Sequence, residues 1–137
     1  MNRQRLLAGL AAPAALLMLA RRLCTVVTVR GFSMQPTLAD GERVLAVRQR
    51  HYPVGAIVVF RVRPEHEAPG DPDFRVKRVA AIGGQPRPAA FAGSSLAATV
   101  PAGHVAIAGD NTGRSEDSRH LGYVPVSSIR GRVVGRR

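Results

Sequence analysis

Lys77 is the only lysine in a chain of 137 residues that carries 20 lysines and arginines. Every other basic position is filled by arginine, and the distinction has chemical content. A guanidinium stays protonated in proteins, whereas an amine buried among apolar neighbours can lose its proton near neutral pH and act as a general base. In FRVKRV (74–79), strand alternation sets Arg75, Lys77 and Val79 on one face and Val76 and Arg78 on the other. Such a base needs a nucleophile, and Ser33 in RGFSMQPTLADG (30–41) is the candidate. Gly31 before it and Pro36 after it mark a constrained turn. That turn can present a hydroxyl and its own backbone N–H to one point, which suits attack on a carbonyl and stabilisation of the oxyanion. Taken alone, a single lysine that escaped an arginine bias stays an open alternative, and serines beside glycine and proline are common in loops.

Other chemistries find less support. Of the four histidines, His51, His66 and His104 sit in turns or at a strand start, and only His120, after Asp117-Ser118-Arg119, lies in an unusual segment. A solvated loop histidine is the ordinary reading of each. No grouping of His, Cys and Asp has metal-ligand spacing, and no glycine-rich phosphate loop is present, so neither a metal nor another cofactor is expected. The lone Cys24 cannot form an internal disulfide and reads as a small apolar residue.

The elements that must position Ser33 and Lys77 are β-strands. After residue 24 the chain breaks into runs rich in β-branched residues and bounded by Gly, Pro or Asp: 25–29, 43–47, 56–62, 74–82, 104–109 and 129–135. No convincing helical period follows residue 24, so a single, mainly β domain is expected over 24–137. Segments 63–73, which holds four of the nine acids, and 83–95 read as loops. Ahead of the domain, residues 6–20 are uncharged and apolar, flanked by Arg3, Arg5, Arg21 and Arg22. Fifteen residues cover about 22 Å as a helix, short of a hydrocarbon core of about 30 Å, but flanking arginines can snorkel. Arginines stand where small-x-small cleavage chemistry would follow, so an uncleaved membrane anchor over 1–23 is favoured above a removable signal or a core helix. The net charge of +11 is spread along the chain. With 4% aromatics and no tryptophan there is little to stack on bases, so a lipid bilayer, not nucleic acid, is the expected partner of that charge.

Read together and in order, GFSMQPTL (31–38), GERVLAV (41–47), VKRVAAIGGQ (76–85) and GDNTGRSEDSRHLGYVPVSSIRGRV (109–133) resemble the successive boxes of bacterial type I signal peptidases. The resemblance covers about residues 25–135. It implies a signal-peptidase-like β-barrel or sandwich carrying one N-terminal transmembrane helix, single-pass in the plasma membrane with the catalytic domain outside the cytoplasm. It also implies that Ser33 is the nucleophile, Lys77 the general base, and Ser115 the serine that orients the lysine amine. Asp117 with Arg119 would support this region, Asp110 and Asn111 would form its turn, and Gly31 stands where some members place an oxyanion-holding serine. Val27, Val29, Met34 and Val76 would line shallow apolar subsites for small side chains one and three residues before the cut. The implied substrates are exported proteins bearing signal peptides, cleaved after Ala-x-Ala-like sequences without a cofactor. Two departures stand out: Gly83-Gly84-Gln85 replaces proline-glycine-aspartate, and Glu42 replaces an aspartate, both at positions that look structural. A dedicated maturation peptidase with one or a few substrates would show the same residues. A non-catalytic basic protein held at a membrane is the alternative of a different class.

Overall fold

The computed structural model describes residues 3–137, with side chains from residue 12 onward. Helix α1 (Arg3–Leu23) is rich in Ala and Leu, both strong helix formers, and closes on Arg21 and Arg22, whose charges complement its carbonyl end. It passes without a loop into strand β1 (Cys24–Thr28), where the run Thr-Val-Val-Thr switches the preference to extended backbone. The Arg48 N–H donates to the Leu23 carbonyl at 2.8 Å and ties the helix end to the sheet. Among the described residues no helix is long and apolar enough to cross a membrane. The first part of the expected anchor over 1–23, residues 1–11, lies outside the residues whose side chains are described.

The body is mainly β, as its alternating runs predict. Six strands fall on those runs: β1, β2 (Arg43–Val47), β3 (Ile57–Phe60), β4 (Arg75–Ile82), β5 (His104–Ala108) and, last in the chain, β7 (Ile129–Arg136). The two-residue β6 (Val124–Pro125) and the one-turn helix α2 (Ser118–Leu121) are too short to leave a period in the sequence. All strands join one sheet in the order β1-β2-β7-β3-β4-β5-β6, every pair antiparallel. The expected barrel or sandwich therefore takes the form of one continuous seven-stranded sheet with β1 and β6 at its ends.

Apolar side chains pack in clusters on the two sides of the strands, because successive residues point to opposite faces. In β3, Val58 and Phe60 enter a cluster with Val79, Ile107 and Ile129, while Val59 between them joins Val29, Met34, Leu38, Val44 and Val76. The second cluster is the floor beneath the Ser33 turn. Burying side chains of this size contributes about 1.5–3 kcal/mol each, so the turn rests on one of the firmest parts of the molecule. Segment 83–95 is a loop, held down by the buried Phe91 and by the Tyr123 hydroxyl, which donates to the Ala97 carbonyl at 2.7 Å. The departures from the expected boxes are structural. The Gln85 side chain accepts from the Ile82 N–H at 3.0 Å, and a Cβ on Gly83 would lie 2.9 Å from the Pro101 carbonyl oxygen. Glu42 accepts from the Ala39 N–H at 2.9 Å and so braces the end of the Ser33 turn.

Candidate active site

Strand β4 carries Lys77 directly opposite the wholly buried Val58 of β3. The lysine side chain is 5% exposed, and its Nζ donates to the Ser33 Oγ at 2.6 Å. Burial pushes the amine down to about 8, and the nearby Arg75 guanidinium pushes the same way, against weaker opposing pulls from Asp117 and Glu116. About a tenth of the amines are then neutral at pH 7, against fewer than one in a thousand for a solvated lysine. The two residues singled out by type, 44 positions apart, are thus in contact.

The Ser33 turn is pinned from the side. The Asn111 N–H donates to the Ser33 carbonyl at 2.9 Å, and the Asn111 Nδ2 donates to the Phe32 carbonyl at 3.1 Å. Asp110, next to it, accepts from Arg78 Nε and Nη2 at 2.8 and 2.7 Å and from the Thr37 hydroxyl at 2.5 Å. The Arg78 bonds, with that of Thr37, hold the Asp110 carboxyl below its usual range despite partial burial. Arg78 and Thr37 went unassigned at the level of sequence. Both stand inside the quoted boxes, and Arg78 is the immediate neighbour of Lys77, so motif position was the signal available. The Gly31 N–H donates to Asp40 Oδ1 at 2.7 Å, whereas among the described residues the Ser33 N–H makes no hydrogen bond. Of the two, only the Ser33 amide is free to meet an oxyanion.

Behind the lysine, Asp117 is buried to 1% exposure and caps α2. Burial alone would raise its carboxyl, but Arg119, donating through Nε at 2.9 Å and Nη2 at 3.0 Å, and the Gly109 N–H outweigh it and keep the group ionised. His120 is half of this capping box, exposed, and far in role from any base: the Asp117 N–H approaches its Nδ1 at 3.5 Å. Among the described residues no cluster could hold a metal. Ser115 lies close by, yet its buried Oγ has no hydrogen-bond partner, so the expected bond to the lysine amine is not formed here. A Cβ on Gly109 would overlap the Ser115 side chain and stand 2.7 Å from the Ser33 carbonyl oxygen, so Ser115 and the Ser33 turn both close on the bare face of that glycine.

A cleft of about 370 Å³ opens onto Ser33 and Lys77. Of the four residues the resemblance assigns to subsites, Val29, Met34 and Val76 line it; Val27 does not, and packs instead against the cluster beneath. The register accounts for this: Val27 pairs with Val44 inside the sheet, and only beyond the end of β1 does the chain turn over the cleft. The rim is charged, with Arg75 bonded to Asp71 at 2.8 Å and to Glu116.

A hydroxyl in contact with a buried, weakened amine beneath an apolar cleft is equipment for nucleophilic hydrolysis. Sequence comparison gives the family: the signal peptidase family, peptidase S26, matches residues 3–86 and 87–136, and the chain belongs to it. It is similar to the mitochondrial ATP-independent inner membrane protease subunit 1a of Arabidopsis thaliana, 35% identical over 124 residues that cover 83% of this chain and 70% of that protein. It is also similar to the mitochondrial inner membrane protease subunit 1 of Homo sapiens, 36% identical over 117 residues, 79% of this chain and 66% of that one. Subunit 1 of Schizosaccharomyces pombe is 34% identical over 113 residues, 77% and 68%. The match is to the signal peptidase family as a whole, and these relatives are mitochondrial proteins, not bacterial ones.

Proposed function

We propose that this peptidase is a membrane-bound serine endopeptidase that removes leader segments by cutting after small residues. The observation that carries the reading is the 2.6 Å contact between Lys77 Nζ and Ser33 Oγ, with the amine weakened by burial. Neutral Lys77 takes the Ser33 proton as Oγ bonds to the scissile carbonyl, and the Ser33 N–H receives the oxyanion. Lys77 then gives the proton to the leaving amine, the C–N bond breaks, and an ester joins the substrate's new C-terminus to Ser33. Water, deprotonated by Lys77, attacks the ester and frees Ser33. Ser115, whose buried hydroxyl has no partner, orients the amine when substrate is bound. Asp117 and Arg119 brace that segment, and Asp110 and Asn111 brace the nucleophile turn. The extended substrate lies along the cleft, with Val29, Met34 and Val76 admitting only small side chains. The anchor is the 1–23 segment, which holds the 24–137 domain at the non-cytoplasmic face. The relatives are subunits of an inner membrane protease, and a dedicated maturation enzyme of this family with one or a few substrates is the second reading.

The test is cleavage by the detergent-solubilised chain of a panel of preproteins ending their leaders in Ala-x-Ala, with Ser33→Ala as the blank. Products should carry the N-terminus that follows the small residue, and a leucine or phenylalanine placed one or three residues before the cut should abolish them. Indifference to those replacements, or equal products from the blank, would sink the reading.

The second-largest influence on Lys77 is Arg75, which also neutralises Asp71 and Glu116. Arg75→Gln removes a repelling cation and frees two carboxylates, and both changes favour the ammonium. The amine's pKa therefore rises, the acid limb of the pH profile of kcat/KM moves to higher pH, and the rate at pH 7 falls by about 3- to 10-fold. Activity should return at alkaline pH. A fall that is the same at every pH would mean that Arg75 acts only by shaping the cleft.

A further inference from the structure

A second cavity, of about 420 Å³, lies where α1 meets the sheet, and four of its six lining residues are arginines: Arg21, Arg22, Arg48 and Arg130. No acidic side chain lines it. Elsewhere in the fold Arg87 is held by the Ser94 and Leu96 carbonyls, and Arg63, Arg75, Arg78, Arg119 and Arg136 each have a carboxylate within 4.0 Å. Among the described residues Arg21, Arg22, Arg48 and Arg130 have none. The floor is Phe74, with the Arg130 guanidinium over its ring at 5.6 Å and that of Arg61 at 5.3 Å. Stacking on the ring fixes the plane of a guanidinium and leaves its N–H edge pointing outward, an arrangement that matches phosphate oxygens two at a time. Like charges gathered this closely repel one another, and a bound anion removes that cost.

We infer that this pocket binds a phosphate group, and that the phosphate belongs to the headgroup of an anionic phospholipid. Phosphate chemistry follows from four exposed arginines lining one opening, more charge than one substrate carboxylate requires. The lipid source follows from position: Arg21 and Arg22 are the last turn of α1, so the pocket stands at the membrane surface if α1 is the anchor proposed above. Phosphate recognition itself does not depend on that reading. Phe74 also lines the cleft of Ser33 and Lys77, so a filled pocket would steady one wall of the cleft.

The experiment is calorimetric titration of the full chain in neutral detergent, without substrate, against phosphatidylglycerol, phosphatidylcholine, inorganic phosphate and a short polyglutamate peptide. Phosphatidylglycerol should bind saturably, and the Arg48→Gln/Arg130→Gln double variant should weaken it by about tenfold or more. Arg48→Lys/Arg130→Lys, which keeps the charge and loses the fork, should fall between. A charge-matched control, Arg43→Gln/Arg137→Gln, should change affinity by less than about twofold. Equal loss in the control would reduce the effect to diffuse charge and overturn the site. Equal affinity for phosphatidylcholine or for inorganic phosphate would overturn the lipid source, and pocket-dependent binding of polyglutamate in preference to lipid would assign the pocket to acidic peptide. A chain without peptidase activity would give the same isotherms, so failure here and failure of the proposed reaction are separate results.

Discussion

Lys77→Met and Lys77→Arg should each lower kcat on a leader-bearing substrate by about a thousandfold or more, because neither can take a proton from Ser33, while their stabilities should move in opposite directions. The wild-type chain holds most Lys77 amines charged at pH 7 inside a nearly dry site, and the depression from 10.5 to about 8 measures what that costs. At about 1.4 kcal/mol per unit the cost is about 3–4 kcal/mol; allowing about 1 for the lost bond to Ser33, methionine should stabilise the fold by about 2–3 kcal/mol. The sign with pH follows from proton counting. Between about 8 and 10.5 the unfolded chain binds more protons at this position than the folded one, so wild-type stability gains with rising pH across that window. The methionine advantage is therefore full below pH 8 and is gone above 10.5. Arginine stays charged throughout and should destabilise at every pH. Urea unfolding at pH 7 and at pH 10 reads both variants. A methionine variant less stable than wild type at pH 7 would mean that the amine is solvated and that burial does not make it a base.

Much of this site was legible from residue type because the chemistry demands types. The proposed base must lose a proton and cannot be arginine, so Lys77 stood out against its background; the turn residues around Ser33 are too common to single it out, and the order of the boxes did so. The strands were legible for a related reason: in Arg43–Val47 and Arg75–Ile82 the β-branched runs coincide with the elements. What was not legible depends on pairing across the chain. The insertion of β7 between β2 and β3 is a long-range choice that no local pattern carries. Val27 looked equivalent to Val29, but its pairing with Val44 holds it inside the sheet and away from the cleft. Ser115 was placed by its box, whereas whether its hydroxyl meets the amine depends on a rotamer, and here the oxygen is unpartnered. Arg78 was legible only as a residue on the face opposite Lys77; its task of clamping Asp110, and through it Thr37, exists only once β4 and the Ser33 turn are side by side.

Gly109→Ala should lower the rate on the order of a hundredfold, although residue 109 carries no reactive group. A Cβ there would overlap the Ser115 side chain and lie 2.7 Å from the Ser33 carbonyl oxygen, and neither neighbour can move freely. That carbonyl is bonded to the Asn111 N–H at 2.9 Å, the Gly109 N–H serves the buried Asp117, and the Ser33 turn sits on the packed cluster of Met34, Val29 and Val76. Relief must come from shifting the turn outward, which lengthens the 2.6 Å contact between Lys77 and Ser33. Overpacking of this kind costs about 1–3 kcal/mol of stability, and displacing a nucleophile by about 1 Å costs on the order of a hundredfold in rate. The two losses can be told apart with Gly109→Ala/Ser115→Gly. Removing the Ser115 side chain takes away one of the two collisions, so part of the stability should return on urea unfolding. The collision with the Ser33 carbonyl persists, so kcat at saturating substrate should stay at least about tenfold below that of Ser115→Gly alone. Recovery of kcat to the level of Ser115→Gly would show that the glycine makes room only for Ser115, and that the position of the nucleophile is set by Asn111 and the apolar floor without it.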